Sequence, residues 1–124
     1  MYTLDTNTVI YYQKRDARVV PVLRSILLES NTIVYVSTIT EAELFSFSQL
    51  SPEEVAIINN ILQTTARIPV DSQIARAAGR IRGTYHLKLA DSLIAATALF
   101  TGSTLLTRNV RDFKNVPNLR LQQI

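Results

Sequence analysis

Residues 87–107 run LKLADSLIAATALFTGSTLLT. From Ala90 to Phe100 the residues are small or apolar except for one acid, Asp91, and the hydroxyls of Ser92 and Thr97. A run of that length and composition predicts a helix, in which the acid is odd as a plain surface residue. Thr101-Gly102 ends it, since glycine accepts the left-handed conformation that closes a helix. Ser103 to Thr107 then reads as a strand. A helix passing over so short a stop into a strand is the unit from which α/β sheets are assembled.

The same alternation extends in both directions from this unit. Asp71 caps a helix reaching about Tyr85, and Arg67 to Val70 before it is a short strand. Ser51-Pro52-Glu53-Glu54 starts a helix, with serine to cap, proline at the first helical position and Glu54 to close a capping box. Thr32 to Ser37, TIVYVS, is β-branched and aromatic and reads as a strand, with a helix starting near Ile39. Arg18 to Glu29 carries an apolar face of Val19, Val22, Leu23, Ile26 and Leu27. At the beginning, Tyr2 to Leu4 is a very short strand ending at Asp5, and a helix runs from Thr6 or Asn7 to about Lys14. Beyond Thr107 a loop leads to a last strand, Leu119 to Gln122. The order predicts one α/β domain over residues 1–124, in three layers, its mostly parallel central sheet flanked by helices on both faces.

Composition narrows the chemistry. The absence of Cys excludes disulfides, thiolate zinc sites and a thiol nucleophile. A single His, His86, excludes a multi-histidine metal site and reads as a surface residue. Any metal must therefore sit on oxygen ligands, which suits Mg²⁺ or Mn²⁺. The opening residues lack the basic and apolar regions of a signal peptide, and no apolar run is long enough to span a bilayer. The expectation is a soluble, cytoplasmic protein with no membrane contact. Net charge is +3 with ten acids in all, so acids gathered at one place would leave the remaining surface basic. A basic rim around an acidic pit can hold a phosphate chain over a metal.

In open parallel α/β sheets ligands bind beyond the carboxyl ends of the strands. Asp5 ends the first strand, and Glu43 lies in the first turns of the helix after the second. Asp91 opens the helix preceding the fourth strand, and Asp112 lies in the loop after it. These acids can meet at one edge. Gathered carboxylates repel one another unless a cation neutralises them. A hard divalent cation there can polarise a phosphoryl oxygen and acidify a water for in-line attack, which points to phosphodiester hydrolysis.

Four segments carry a family resemblance: Asp5-Thr6-Asn7 after the first strand, VSTITEAEL ending at Glu43-Leu44, LKLADSLIAATA around Asp91, and TRNVRDF from Thr107 to Phe113. In order and spacing they resemble the motif regions of PIN domains, and more narrowly the VapC-type toxins of toxin–antitoxin pairs. The resemblance implies a metal-dependent endoribonuclease. Asp5, Glu43 and Asp91 would be core ligands of Mg²⁺ or Mn²⁺, and Asp112 a fourth acid. Thr6, Asn7, Thr107 and Asn109 would be hydrogen-bonding neighbours. It further implies an RNA substrate, a cognate antitoxin and a homodimer. Many PIN domains have an acid where this chain has Asn109.

Plainer readings stand beside these. Asp5 can simply cap the helix beside it, and Asp91 can favour a helix dipole. Thr38 with Glu41 and Thr40 with Glu43 are competing capping boxes, and the resemblance selects Glu43 as the functional acid. Asp112 can be turn chemistry. Arg76 and Arg80 form a solvated face, whereas Lys88 and Arg108 flank the motif acids and are the better candidates for phosphate contact. Tyr11 and Tyr12 can stack on bases or pack. Two alternative functions follow. One is a haloacid-dehalogenase-like phosphatase, whose nucleophile loop Asp5-Thr6-Asn7-Thr8 resembles, although Asn7 cannot serve as its acid/base. The other is a PIN-like binding module without catalysis.

Overall fold

The computed structural model describes residues 1–124. Its elements are β1 (Tyr2–Leu4), α1 (Thr6–Gln13), α2 (Val19–Leu28), β2 (Val34–Ser37), α3 (Thr38–Leu44), α4 (Pro52–Thr64), β3 (Ala66–Ile68), α5 (Ser72–Tyr85), α6 (Leu89–Thr101), β4 (Thr104–Thr107), α7 (Val110–Phe113) and β5 (Leu121–Gln123). The sheet is wholly parallel in the order β3-β2-β1-β4-β5. No helix is long and apolar enough to cross a membrane.

Only three residues long, β1 is nevertheless the central strand. Its register explains how so short a strand is held. Leu4 lies opposite Val36 on one side and Leu106 on the other, and all three are fully buried. This row packs with α1, α2 and α4 through Val9, Leu23, Ile58 and Ile61. Burying each such side chain is worth about 1.5–3 kcal/mol. Leu105 points to the other face and joins the second half of the core, with Ile74, Ala78 and Ile81 of α5 and Ile94 to Ala98 of α6. Alternation along β4 thus feeds both helical layers. Fully buried Thr3 pairs its hydroxyl with that of Ser103 at 2.6 Å.

Several boundaries differ from the sequence expectation for local reasons. The predicted third strand, Arg67 to Val70, is observed at Ala66–Ile68. Pro69 has no N–H to donate, and the Val70 N–H is taken by the Thr38 hydroxyl at 3.1 Å. Neither threonine-based capping box forms on α3. Ser37 caps it instead, accepting from the Ile39 N–H at 3.2 Å. Where a plain loop was expected after β4, α7 forms a single helical turn carrying Asp112, anchored by buried Phe113. The last strand begins at Leu121, two positions later than expected. The Ser51–Glu54 capping box and the Asp71 cap are present.

Because all strands run the same way, their carboxyl ends share one edge. From that edge emerge Asp5, the Ser37 cap that launches α3, and the Thr107–Asn109 turn.

Candidate active site

Asp5 makes the cap its position suggested and also borders a cleft. Its Oδ1 accepts from the Thr8 N–H at 2.8 Å and so caps α1, while the residue, 5% exposed, lines a cleft at the sheet edge. The Thr8 hydroxyl donates to the Leu106 carbonyl at 3.1 Å, which ties the start of α1 to β4. Thr6 turns inward beside it. Its hydroxyl donates to Glu43 Oε1 at 2.5 Å and lies 3.1 Å from the Thr40 hydroxyl. The turn after β1 therefore orients the acid carried by α3. Glu41, two residues earlier, points instead toward Arg67 at 3.6 Å.

Asp91 sits in the first turn of α6, whose N-cap, Lys88, makes no side-chain cap. Its carboxyl is pushed above the ordinary carboxylate value by partial burial, then by the charges of Asp5 and Glu43 and, more weakly, of Asp112, with Lys88 opposing. Asp5, Glu43 and Asp91, from three elements far apart in sequence, line one cleft of about 190 Å³ together with Thr6, Asn7 and Phe47. Asp112 meets Asp91 in an adjoining cleft that does not reach Glu43. It accepts from the Asn109 amide at 2.5 Å, and the Thr107 hydroxyl in turn accepts from the Asn109 N–H at 2.9 Å.

Arg108 does not lie free for a phosphate. Its guanidinium grips both oxygens of Asp16 at 3.1 and 3.2 Å, its Nε donates to the Ile124 carbonyl at 3.3 Å, and it lies 4.2 Å from the Tyr11 ring centroid. It forms a wall of a third cleft, shared with Asp5, Asn7, Tyr11 and Asn109. Lys88 lines the Asp112 cleft. Sequence reasoning missed Phe47, an exposed aromatic in a turn with no pattern to mark it, and Arg111, which falls in the turn taken for a loop.

As the side chains stand, no three acids close around one point in metal-ligating geometry. The donor set nevertheless fits a hard cation in kind. One oxygen of Asp5 is used by the helix cap and one of Glu43 by Thr6, whereas Asp5 Oδ2, Glu43 Oε2 and both oxygens of Asp91 have no protein donor. Such a crowd of carboxylates is relieved by a divalent cation on oxygen ligands.

Comparison with known proteins gives the same picture at larger scale. The PIN-domain family model matches residues 2–119. The chain is 31% identical to Ribonuclease VapC1 of Haemophilus influenzae, over 98% of this chain and 96% of that one. It is 27% identical, over the same shares, to the tRNA(fMet)-specific endonuclease VapC of Salmonella typhimurium. A toxin–antitoxin complex from Klebsiella pneumoniae superposes with a TM-score of 0.80 at 27% identity, covering 96% of this chain and 95% of that one. A turn that caps a helix with one acid and orients a second, facing a third on α6, is thus set in a chain that belongs to the PIN-domain family, among its VapC-type toxin ribonucleases.

Proposed function

We propose that the acid cleft is the catalytic centre of this ribonuclease, within a single nuclease domain over residues 1–124. Membership in the family displaces the phosphatase alternative. The observation that carries the proposal is the meeting of Asp5, Glu43 and Asp91 in one cleft; partial burial, and then the neighbouring acids, push the Asp91 carboxyl up. These three would hold Mg²⁺ or Mn²⁺. Once bound, the ion would polarise a phosphoryl oxygen and acidify a water.

The remaining residues position these groups. Thr6 sets the rotamer of Glu43, and its bond to Thr40 fixes the hydroxyl's own direction. Thr107 holds the turn that brings Asn109 to Asp112, so Asp112 stands beside Asp91 as the fourth acid, acting at the edge of the centre. Asn7, exposed on the cleft wall, supplies an amide to the substrate. Its partners are an RNA substrate, a cognate antitoxin like that of the Klebsiella complex, and a second copy of the chain. Exposed Phe45 and Phe47 near the cleft, and Leu99 and Phe100 at the end of α6, support such contacts.

The test is cleavage of a mixed pool of structured and single-stranded RNAs in Mn²⁺, Mg²⁺ and EDTA, with Asp5→Asn and Asp91→Asn beside the wild type. Metal-dependent cleavage that both variants lose is the expected result. Cleavage surviving in both would remove the site from the mechanism. A binding module without catalysis would cut nothing and would bind metal equally with and without Asp5, as read by calorimetry.

A further inference from the structure

Two clefts meet at Asp91 and otherwise differ in chemistry. The one shared with Asp5 and Glu43 contains no cationic residue. The other, about 310 Å³, is lined by His86, Lys88 and Arg111 as well as by Asp91 and Asp112. That volume reaches the range of small-ligand sites, about 300 Å³ and upward. Three elements hold these side chains in place. His86 ends α5 in a left-handed conformation with φ 60°, Lys88 is the residue from which α6 starts, and Arg111 rides on α7, seated by Phe113.

Neither Lys88 nor Arg111 is paired. The ion pairs of the chain are Arg67 with Glu41 and Arg108 with Asp16. Two carboxylates border the same cleft, yet the lysine and arginine reach neither. Lys88 is close enough to pull the Asp91 carboxyl downward, so its charge is felt at the acid centre. Unpaired cations beside an acid centre are placed to receive an anion once the acids are neutralised. A polynucleotide lying over that centre carries a further phosphate one nucleotide along in each direction.

We infer that the His86–Lys88–Arg111 cleft is a subsite for the RNA phosphate next to the scissile one, with Lys88 and Arg111 supplying its counter-charge. It gives the strand a polarity, because the cleft on the other side of Asp91 offers Phe47 and no cation. The inference rests on the reading of the acid cleft as the catalytic centre, but binding at the subsite does not require cleavage.

Its test therefore has two readouts. A fluorescein-labelled single-stranded oligouridylate is titrated by anisotropy with Asp5→Asn protein at fixed Mg²⁺ across a range of KCl, with and without the added pair Lys88→Gln/Arg111→Gln. Loss of one phosphate contact should flatten the dependence of log K on log salt by about 0.7. Arg76→Gln/Arg80→Gln, which removes the same charge from the exposed face of α5, should leave the slope unchanged. In chain that is otherwise wild type, Lys88→Gln/Arg111→Gln should raise KM for RNA about tenfold with kcat little altered, the signature of lost uniform binding. An unchanged slope, an equal change in the α5 control, or no binding by the Asp5→Asn parent overturns the subsite. A flattened slope in a protein whose wild type cuts no RNA would keep the cleft as an RNA phosphate site and sink the catalytic reading.

Discussion

Asp16 and Asp91 are the same residue in opposite circumstances. Asp16, between α1 and α2, receives two bonds from Arg108 and backbone N–H bonds from Arg18 and Val19, and its carboxyl falls to about 2. Asp91 is partly buried, faces Asp5 and Glu43, has no donor, and its carboxyl is pushed up. One charge is fully answered by the protein and closes a joint. The other is left unanswered and waits for something from outside. Arg108, claimed by Asp16, belongs with the answered charge, whereas in the acid cleft Asp5 and Glu43 each keep one oxygen without a donor and Asp91 keeps both.

That contrast can be broken experimentally, and the largest effect is expected at the unanswered acid. Asp91→Asn should lower RNA cleavage by about 10²–10⁴-fold, the range for loss of a positioned catalytic group, with kcat measured under saturating metal. Retained activity would make Asp91 as structural as Asp16. Next in size, Phe113→Ala should destabilise by about 3–5 kcal/mol in denaturant unfolding, because a fully packed aromatic is removed from under α7. Thr6→Val should cost about 10–100-fold in activity by freeing Glu43, and Thr6→Ser should restore most of it.

Smaller effects concern pH. The lowered carboxyl of Asp16 contributes stability that is present above its ordinary value of 3.8 and is lost as pH falls toward about 2. Asp16→Asn should therefore lower the melting temperature at neutral pH and erase the difference from wild type at the acid end. For metal-free protein the sign at Asp91 is opposite. Its raised carboxyl favours the folded state at low pH, and that contribution disappears as pH rises through the raised value. Asp91→Asn in EDTA should melt slightly higher than wild type at neutral pH. A lower melting temperature there would show that the acid is answered by a group the contrast overlooks.

What was legible in the sequence followed from local physics. The Ser51–Glu54 capping box, the Asp71 cap and the Gly102 stop each require only neighbours in the chain, and all are present. Alternating strands and helices were enough for a parallel sheet with both faces covered. Asp5 and Asp91 were traceable because one follows a strand end and the other opens a helix, whereas Glu43 was selected over Glu41 by the family resemblance, since local pattern does not separate the two. Less visible were features settled by distant partners. The cap of α3 passed to Ser37 while Thr38 bonded Val70 and Thr40 met Thr6. Arg108 looked free until Asp16, 92 positions away, came beside it. The single turn of α7 is too short for periodicity to announce, so Arg111 stayed hidden with it.

The central position of β1 has a consequence for how the protein comes into being. Residues 2–4 pair with 34–36 on one side but with the distant 104–106 on the other. Until residues 104–106 dock, β1 has an open flank, and Asp5 has neither Asp91 across the cleft nor the Leu106 carbonyl behind its helix. Folding through so distant a contact is slow and comes late. The docking that completes the sheet is thus also the one that brings Asp91 across from Asp5.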